Sequence, residues 1–158
     1  MKPKTRNALL GITVSAALLT SIANHEGFRS AAYIPVPGDV PTVAFGTTVY
    51  PDGTRVKLGD VVTREQAQDY LKHDTEKFIR EMNRCITVPI SQGEFEAYVS
   101  LTYNIGSGAF CRSTLVRKLN AYDYKGACDE ILRWSFFKGK QLPGLAKRRA
   151  QEHKLCVS

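Results

Sequence analysis

The spacing of apolar and polar positions divides the chain into an uncharged opening, a β-prone middle and a helical remainder. Residues 7–25 hold no Asp, Glu, Lys or Arg, and they follow a positive start of Lys2, Lys4 and Arg6. The next apolar run is short: Thr42-Val43-Ala44-Phe45, stopped by Gly46 and preceded by a Pro/Gly-broken turn that holds Asp39. A second turn, Pro51-Asp52-Gly53, lies between β-prone residues, so a small sheet is expected over residues 40–58. Thr63 and Gln66 form a capping box. Behind it Ala67, Tyr70, Leu71, Phe78, Ile79 and Met82 keep helical spacing as far as Asn83, with a polar break at Asp74. A second box, Ser91 with Glu94, opens a helix striped by Phe95, Tyr98, Val99, Leu101 and Thr102 and ended by Gly106. Short helices are expected over residues 113–121 and 123–134, and a last one leads from Gly144 and Leu145 through residues 147–156. This order predicts an α+β chain with a small sheet lobe near the N-terminus and a helical C-terminal lobe, joined by the long helix after Thr63.

The opening segment has the pattern of an export signal. As one helix, residues 8–23 would span about 24 Å, short of the roughly 30 Å hydrocarbon core. Nine of those 16 residues are Gly, Ala, Ser or Thr, so the segment is only weakly hydrophobic. Three fates are compatible with it. Ser21 and Ala23 form a small-residue cleavage pattern, and cleavage there would leave Glu26 almost at a new N-terminus. Uncleaved, the segment can enter a membrane and later leave it. It can also fold as a core helix.

Charge distribution says more than bulk composition. With 43% apolar and 23% charged residues the chain is an ordinary globular one, which excludes wholesale disorder. Its net charge of +7 arises entirely after residue 110: residues 1–110 carry 11 Lys/Arg against 11 Asp/Glu, and residues 111–158 carry 11 against 4. Such an excess suits a polyanion, whether nucleic acid, anionic lipid or an anionic wall polymer, and it also suits a merely soluble basic surface. An export signal argues against nucleic acid. Cys85, Cys111, Cys128 and Cys156 show no CxxC spacing and the three histidines are isolated, so no metal site is expected. An even cysteine count behind an export signal favours disulfides over four buried thiols.

The candidate chemistry gathers around Glu26. It is followed at once by Gly27 and stands ahead of a hairpin that carries Asp39 and Thr42. An acid at the start of a hairpin, with a second carboxylate and a hydroxyl on it, is a layout for acid-catalysed hydrolysis. Lone acids in turns are also ordinary solvated groups. The residues Glu26-Gly27, Ala32-Tyr33 and Thr42-Val43-Ala44-Phe45-Gly46-Thr47-Thr48 resemble the active-site hairpin of phage-type lysozymes, the endolysins related to the phage T4 enzyme. Gln92-Gly93-Glu94-Phe95-Glu96-Ala97, Tyr103-Asn104-Ile105-Gly106-Ser107-Gly108, Ser113-Thr114-Leu115 and Arg133-Trp134 extend the resemblance. So do Gly139-Lys140, Leu142-Pro143-Gly144-Leu145 and Arg148-Arg149, which brings it to residues 25–156. The opening segment resembles the signal-arrest-release anchors of a subgroup of these endolysins.

The resemblance implies a lysozyme-like fold, with a catalytic domain over residues 25–158 behind a signal-arrest-release segment over residues 1–24. It implies hydrolysis of the β-1,4 link between N-acetylmuramic acid and N-acetylglucosamine in peptidoglycan, without a cofactor. The family pattern is Glu, then Asp nine residues on, then Thr fifteen residues on. Here Pro35 stands at nine and Thr42 at sixteen, so the hairpin is one residue longer and its only carboxylate is Asp39. Glu26, Asp39 and Thr42 are therefore the expected catalytic residues. The family's Tyr-Gly-His-Thr ending is Phe45-Gly46-Thr47-Thr48 here. The family usually inverts, which asks for carboxylates about 6.5–9.5 Å apart. Arg148 or Arg149 is expected either to pair with Glu26 or a wall carboxylate, or to lie on a solvated basic helix face. The expected disulfides are Cys85–Cys111 and Cys128–Cys156, each closing a loop of about 25–29 residues worth on the order of 3–4 kcal/mol. Expected partners are bacterial peptidoglycan and, through residues 8–23, the host inner membrane before release into the periplasm; the protein is expected to be a monomer. The competing reading is a non-catalytic exported peptidoglycan-binding protein, which would suit the missing aspartate at residue 35.

Overall fold

Helix formation in the opening segment starts at Ser15, not near residue 8. The structure, a computed structural model, describes residues 4–158; Lys2 of the positive start lies outside the described residues. Residues 8–14 hold only a 3₁₀ turn, Leu9–Gly11, after which Ile12 is extended. Ser15 is an N-cap whose Oγ accepts from the Leu18 N–H at 3.0 Å, and α1 (Ala16–Glu26) follows. No helix among the described residues is long and apolar enough to cross a membrane. The boundary expected between residues 24 and 25 falls inside α1.

Backbone contacts divide the chain into two units, residues 15–77 and residues 4–14 with 78–158. In the first, α1 buries Leu18 and Ile22 and ends where Gly27, at φ 71°, donates its N–H to the Ala23 carbonyl. β1 (Arg29–Tyr33) and β2 (Thr42–Ala44) then form an antiparallel pair, with Arg29 opposite Ala44 and Tyr33 opposite Thr42 across an irregular register. The sheet thus begins earlier than residue 40. Around Pro51-Asp52-Gly53 the pairing is confined to an isolated Val49–Arg55 bridge with its flanking backbone bonds, and Asp52 folds its carboxylate onto the Thr54 N–H and hydroxyl at 2.9 and 2.7 Å. Val43, Ala44, Phe45, Val56, Val62, Ala67 and Leu71 join Leu18 and Ile22 in this unit's core. α2 (Arg64–Met82) starts from the expected capping box, with Thr63 Oγ1 and Gln66 Oε1 each accepting from the other's backbone N–H.

The second unit is built on α3 (Gln92–Ile105), which buries every residue from Glu94 to Tyr103 except Glu96. A helix buried all round is a central one, and the one-faced stripe expected from the sequence understates it. Its capping box is complete, and Glu94 also receives the Arg6 guanidinium at 2.7–3.2 Å. Asn7 and Ile90 exchange both backbone hydrogen bonds, so the positive start of the chain belongs to this unit. Short helices follow: α4 (Ser107–Cys111), α5 (Thr114–Asn120) and α6 (Tyr124–Glu130), the last stopping earlier than expected and passing into a 3₁₀ turn at Ile131–Arg133. A two-residue-turn hairpin, β3 (Phe136–Phe137) with β4 (Lys140–Gln141), was not foreseen. α7 (Pro143–Val157) packs along α3, where a Cβ on Gly93 would run into the Leu155 carbonyl oxygen. The disulfides pair as expected, Cys85–Cys111 and Cys128–Cys156.

Candidate active site

All three expected catalytic residues fall in the unit of residues 15–77. Glu26 is the last residue of α1 and half-buried. The helix therefore fixes its backbone, and Gly27 turns the chain at once into β1 through Phe28. That ring lies 5.7 Å from the ring of Phe45 and carries the Arg64 guanidinium at 4.6 Å, so the junction between α1 and the hairpin is packed.

Thr42 opens β2 and is buried. Its hydroxyl donates to the Val40 carbonyl at 3.1 Å. That bond commits the hydroxyl proton, so what the oxygen offers to a further partner is a lone pair. Asp39 sits differently. Val36-Pro37-Gly38-Asp39 is a β-turn closed by the Asp39 N–H on the Val36 carbonyl at 3.0 Å, with Gly38 at φ 87° as a type II turn requires. The Asp39 side chain is exposed, and its Oδ1 accepts from the Val40 N–H at 2.8 Å. The extra residue of the hairpin is thus absorbed by a turn that presents a carboxylate to solvent.

A groove of about 640 Å³ in the same unit runs along α1 and α2, between residues such as Leu19, Ala23, Phe28, Phe45 and Leu71. None of Glu26, Asp39 or Thr42 lines it. Among the described residues no cluster of three or more His, Cys, Asp or Glu is placed to hold a metal ion.

Two arrangements escaped the sequence reading. Thr47, standing where the resembled pattern has histidine, is buried and donates its hydroxyl to Asp74 Oδ2 at 2.8 Å. Asp74 is the polar break noticed on α2; burial pushes its carboxyl above the ordinary aspartate range, against the Thr47 hydrogen bond and the nearby His73 and Lys77 charges. A neutral hydroxyl here ties the strand turn to α2. The second arrangement concerns Arg148 and Arg149, both of them buried. Arg148 Nε donates to Glu152 Oε1 at 3.2 Å, Arg149 Nε lies 2.8 Å from Glu152 Oε2, and the Ser100 hydroxyl donates to Glu152 Oε1 at 2.6 Å. The reading of a solvated basic helix face is therefore corrected: α7 turns these arginines inward, onto Glu152 beneath α3.

Comparison with known proteins places these features. The family model described as phage lysozyme matches residues 23–152. The SAR-endolysin of Enterobacteria phage P21 is 35% identical, over 99% of this chain and 98% of that protein. Among solved structures, the endolysin from Escherichia coli O157:H7 phage FAHEc1 is similar at a TM-score of 0.78 and 35% identity, covering 98% of this chain and 97% of that one. The muramidase domain of SpmX from Asticaccaulis excentricus is similar at 0.79 and 27%, covering 93% and 99%.

Proposed function

Because the chain belongs to the phage lysozyme family, we propose that Glu26 supplies the proton that breaks a glycosidic bond while Thr42 and Asp39 manage the attacking water. The chain is a phage endolysin, a glycoside hydrolase of the muramidase kind that acts on bacterial peptidoglycan. In the proposed reaction the Glu26 carboxyl gives its proton to the oxygen leaving C1 of the N-acetylmuramic acid unit. A water on the opposite face of the sugar attacks C1 and loses its proton to Asp39. Thr42 orients that water by accepting one of its hydrogens.

The observation that carries this reading is the Thr42 hydroxyl. Held by its bond to the Val40 carbonyl, it offers a fixed acceptor at the head of β2, three residues from Asp39, the one carboxylate of the hairpin. The test is a set of three substitutions measured by turbidity loss on purified peptidoglycan. Glu26→Gln should remove at least 99% of activity, about a hundredfold, the usual scale for general acid help. Asp39→Ala should cost a similar factor if Asp39 takes the water's proton. A loss under fivefold there, with Thr42→Ala still severe, would leave Asp39 a turn residue.

We also propose that residues 8–23 first lodge in the host inner membrane, and that the enzyme works in the periplasm after they leave it. Support comes from the SAR-endolysin relatives and from α1 itself. Leu18 and Ile22 are 3% and 0% exposed in the folded unit, so they cannot serve its core and the bilayer at once. Glu26 closes the same helix. While the segment sits in the membrane, the acid is detached from the hairpin it serves, and the tethered protein is inactive.

A further inference from the structure

The β3–β4 hairpin carries none of the proposed catalytic residues, yet it sets two exposed aromatic rings beside two exposed cations. Lys138 (φ 49°) and Gly139 (φ 76°) make a turn with two left-handed residues, the form that suits a tight two-residue hairpin. Leu142 N–H bonds the Ser135 carbonyl at 3.0 Å and Gln141 Nε2 donates to Ser135 Oγ at 3.2 Å, which fixes the base of the ribbon. From that base two phenylalanines project into solvent: Phe136 is 57% exposed and Phe137 49%, and Leu132, four residues before Phe136, is 44% exposed. Such rings are stabilised by removal from water, and nothing in the hairpin removes them.

Charge decides the partner. From Ile131 to Gln151 the chain holds six Lys/Arg and no Asp or Glu. Arg148 and Arg149 are spent on Glu152, and Arg133 lies 3.3 Å from Glu130, but Lys138, Lys140 and Lys147 are exposed. Lys138 Nζ stands 5.5 Å from the centre of the Phe137 ring, so cation and ring face the same surroundings. We propose that this hairpin is a membrane-contact element: in the released protein, Phe136 and Phe137 enter the headgroup region of an anionic bilayer and Lys138 and Lys140 meet its phosphates.

Alternating strand residues point to opposite faces, so a ribbon laid flat would bury only one ring. Laid along its outer β3 edge, it lowers both rings into the interface. The lysines then reach back to the phosphates on their flexible stems. A sugar polymer fits less well. The segment Phe136-Phe137-Lys138-Gly139-Lys140 offers ammonium donors and no side-chain acceptor for sugar hydroxyls; the acceptor next in the chain is the Gln141 amide oxygen, whose Nε2 donates to Ser135.

The test uses the full-length, disulfide-bonded protein, sedimented with vesicles of phosphatidylcholine alone or with about one-third phosphatidylglycerol. The only tryptophan, Trp134, reports locally, because it lies two residues before Phe136. Wild type should bind the anionic vesicles preferentially, shift Trp134 emission to the blue, and dissociate in high salt. Phe136→Ser/Phe137→Ser should weaken binding about tenfold or more, and Lys138→Gln/Lys140→Gln by roughly thirtyfold, at a lipid contribution of about a factor of five per cation. Both variants should hydrolyse soluble peptidoglycan fragments at the wild-type rate. Binding without preference for anionic lipid, or no binding at all, overturns the proposal. Wild-type affinity in both variants does so too, since attachment then belongs to the opening segment. If instead the variants lose binding to purified peptidoglycan and keep their vesicle affinity, the hairpin holds wall polymer and the membrane assignment is wrong.

Discussion

The two units of this chain are held together by different means. Residues 78–158 with residues 4–14 carry both disulfides, a central helix buried from Glu94 to Tyr103 except at Glu96, and the buried Arg148–Glu152–Arg149 cluster. Residues 15–77, which hold Glu26, Asp39 and Thr42, carry no disulfide; turns, caps and a small core hold them, and two members of that core, Leu18 and Ile22, come from α1. The stable part is therefore the part without the expected acid. The unit that holds the proposed catalytic residues takes part of its core from the same segment that reads as an export signal, so under the proposed membrane stage its folding would depend on where that segment is.

The comparison breaks most completely if α1 cannot leave the membrane. Gly11, Thr13 and Thr20 are all exposed in the folded protein, and a side chain at Gly11 meets nothing within 4 Å, so leucines there leave the released fold intact. In the bilayer each leucine contributes about −0.3 to −0.6 kcal/mol at a helix centre. Ser15 is left alone because it caps α1. The triple variant Gly11→Leu/Thr13→Leu/Thr20→Leu should stay in the membrane fraction and delay lysis severely, even after the membrane potential is collapsed. Lysis on the wild-type schedule, or a mature protein beginning at Asn24, would make the segment a cleaved signal and nothing more.

A milder test separates the units inside the folded protein. Ile22→Ala should cost about 2–5 kcal/mol, the usual scale for a buried large-to-small change. Amide hydrogen exchange should then quicken over residues 15–77 and leave α3 and α7 protected. Reducing the disulfides should do the reverse. Equal acceleration in both units, from either change, would show that they open as one.

The smallest effect concerns Asp74. Its folded carboxyl is raised above the ordinary aspartate value by burial, so the folded state binds that proton more tightly than the unfolded chain. Stability from this site is highest below the ordinary aspartate range, near pH 3–4, and falls as pH rises through the folded value. Asp74→Asn keeps an acceptor for Thr47 and removes the charge. Melting temperatures of variant and wild type should agree near pH 3 and diverge toward pH 7, with the variant the more stable. A gap that is constant across pH, or that runs the other way, would mean the charge itself supports the fold.

The elements with explicit start and stop residues were legible in the sequence. Thr63/Gln66, Ser91/Glu94, Ser113 and Asp123 each begin a helix as read, and both cysteine pairs form. The hairpin of β3 and β4 was hidden because two-residue strands carry no periodicity, and a lysine at a left-handed turn position gives no signal. The uncharged opening read as one helix because its composition is uniform from residue 8 to residue 23. Only Ser15, accepting from Leu18, divides it, and a serine among small residues does not announce a cap. At the site, Glu26 and Thr42 were proposed through the resemblance of the hairpin, with Thr42 one residue beyond the family spacing. The Thr47–Asp74 bond was not, since it joins residues 27 apart and depends on α2 passing the strand turn.

Lys4 donates to the carbonyl of Cys156 at 2.7 Å, in the last turn of α7. Lys4 thus caps the tail of the chain, with a cation on a carbonyl of the last turn of α7. In the released protein the polypeptide is, in effect, a closed ring fastened without a covalent bond. If residues 8–23 are held in a bilayer, as proposed above, Lys4 is parted from Cys156 and the ring is open. The Cys128–Cys156 disulfide keeps the last turn of α7 fastened, and a label attached after Ser158 would sense from the tail where the head has gone.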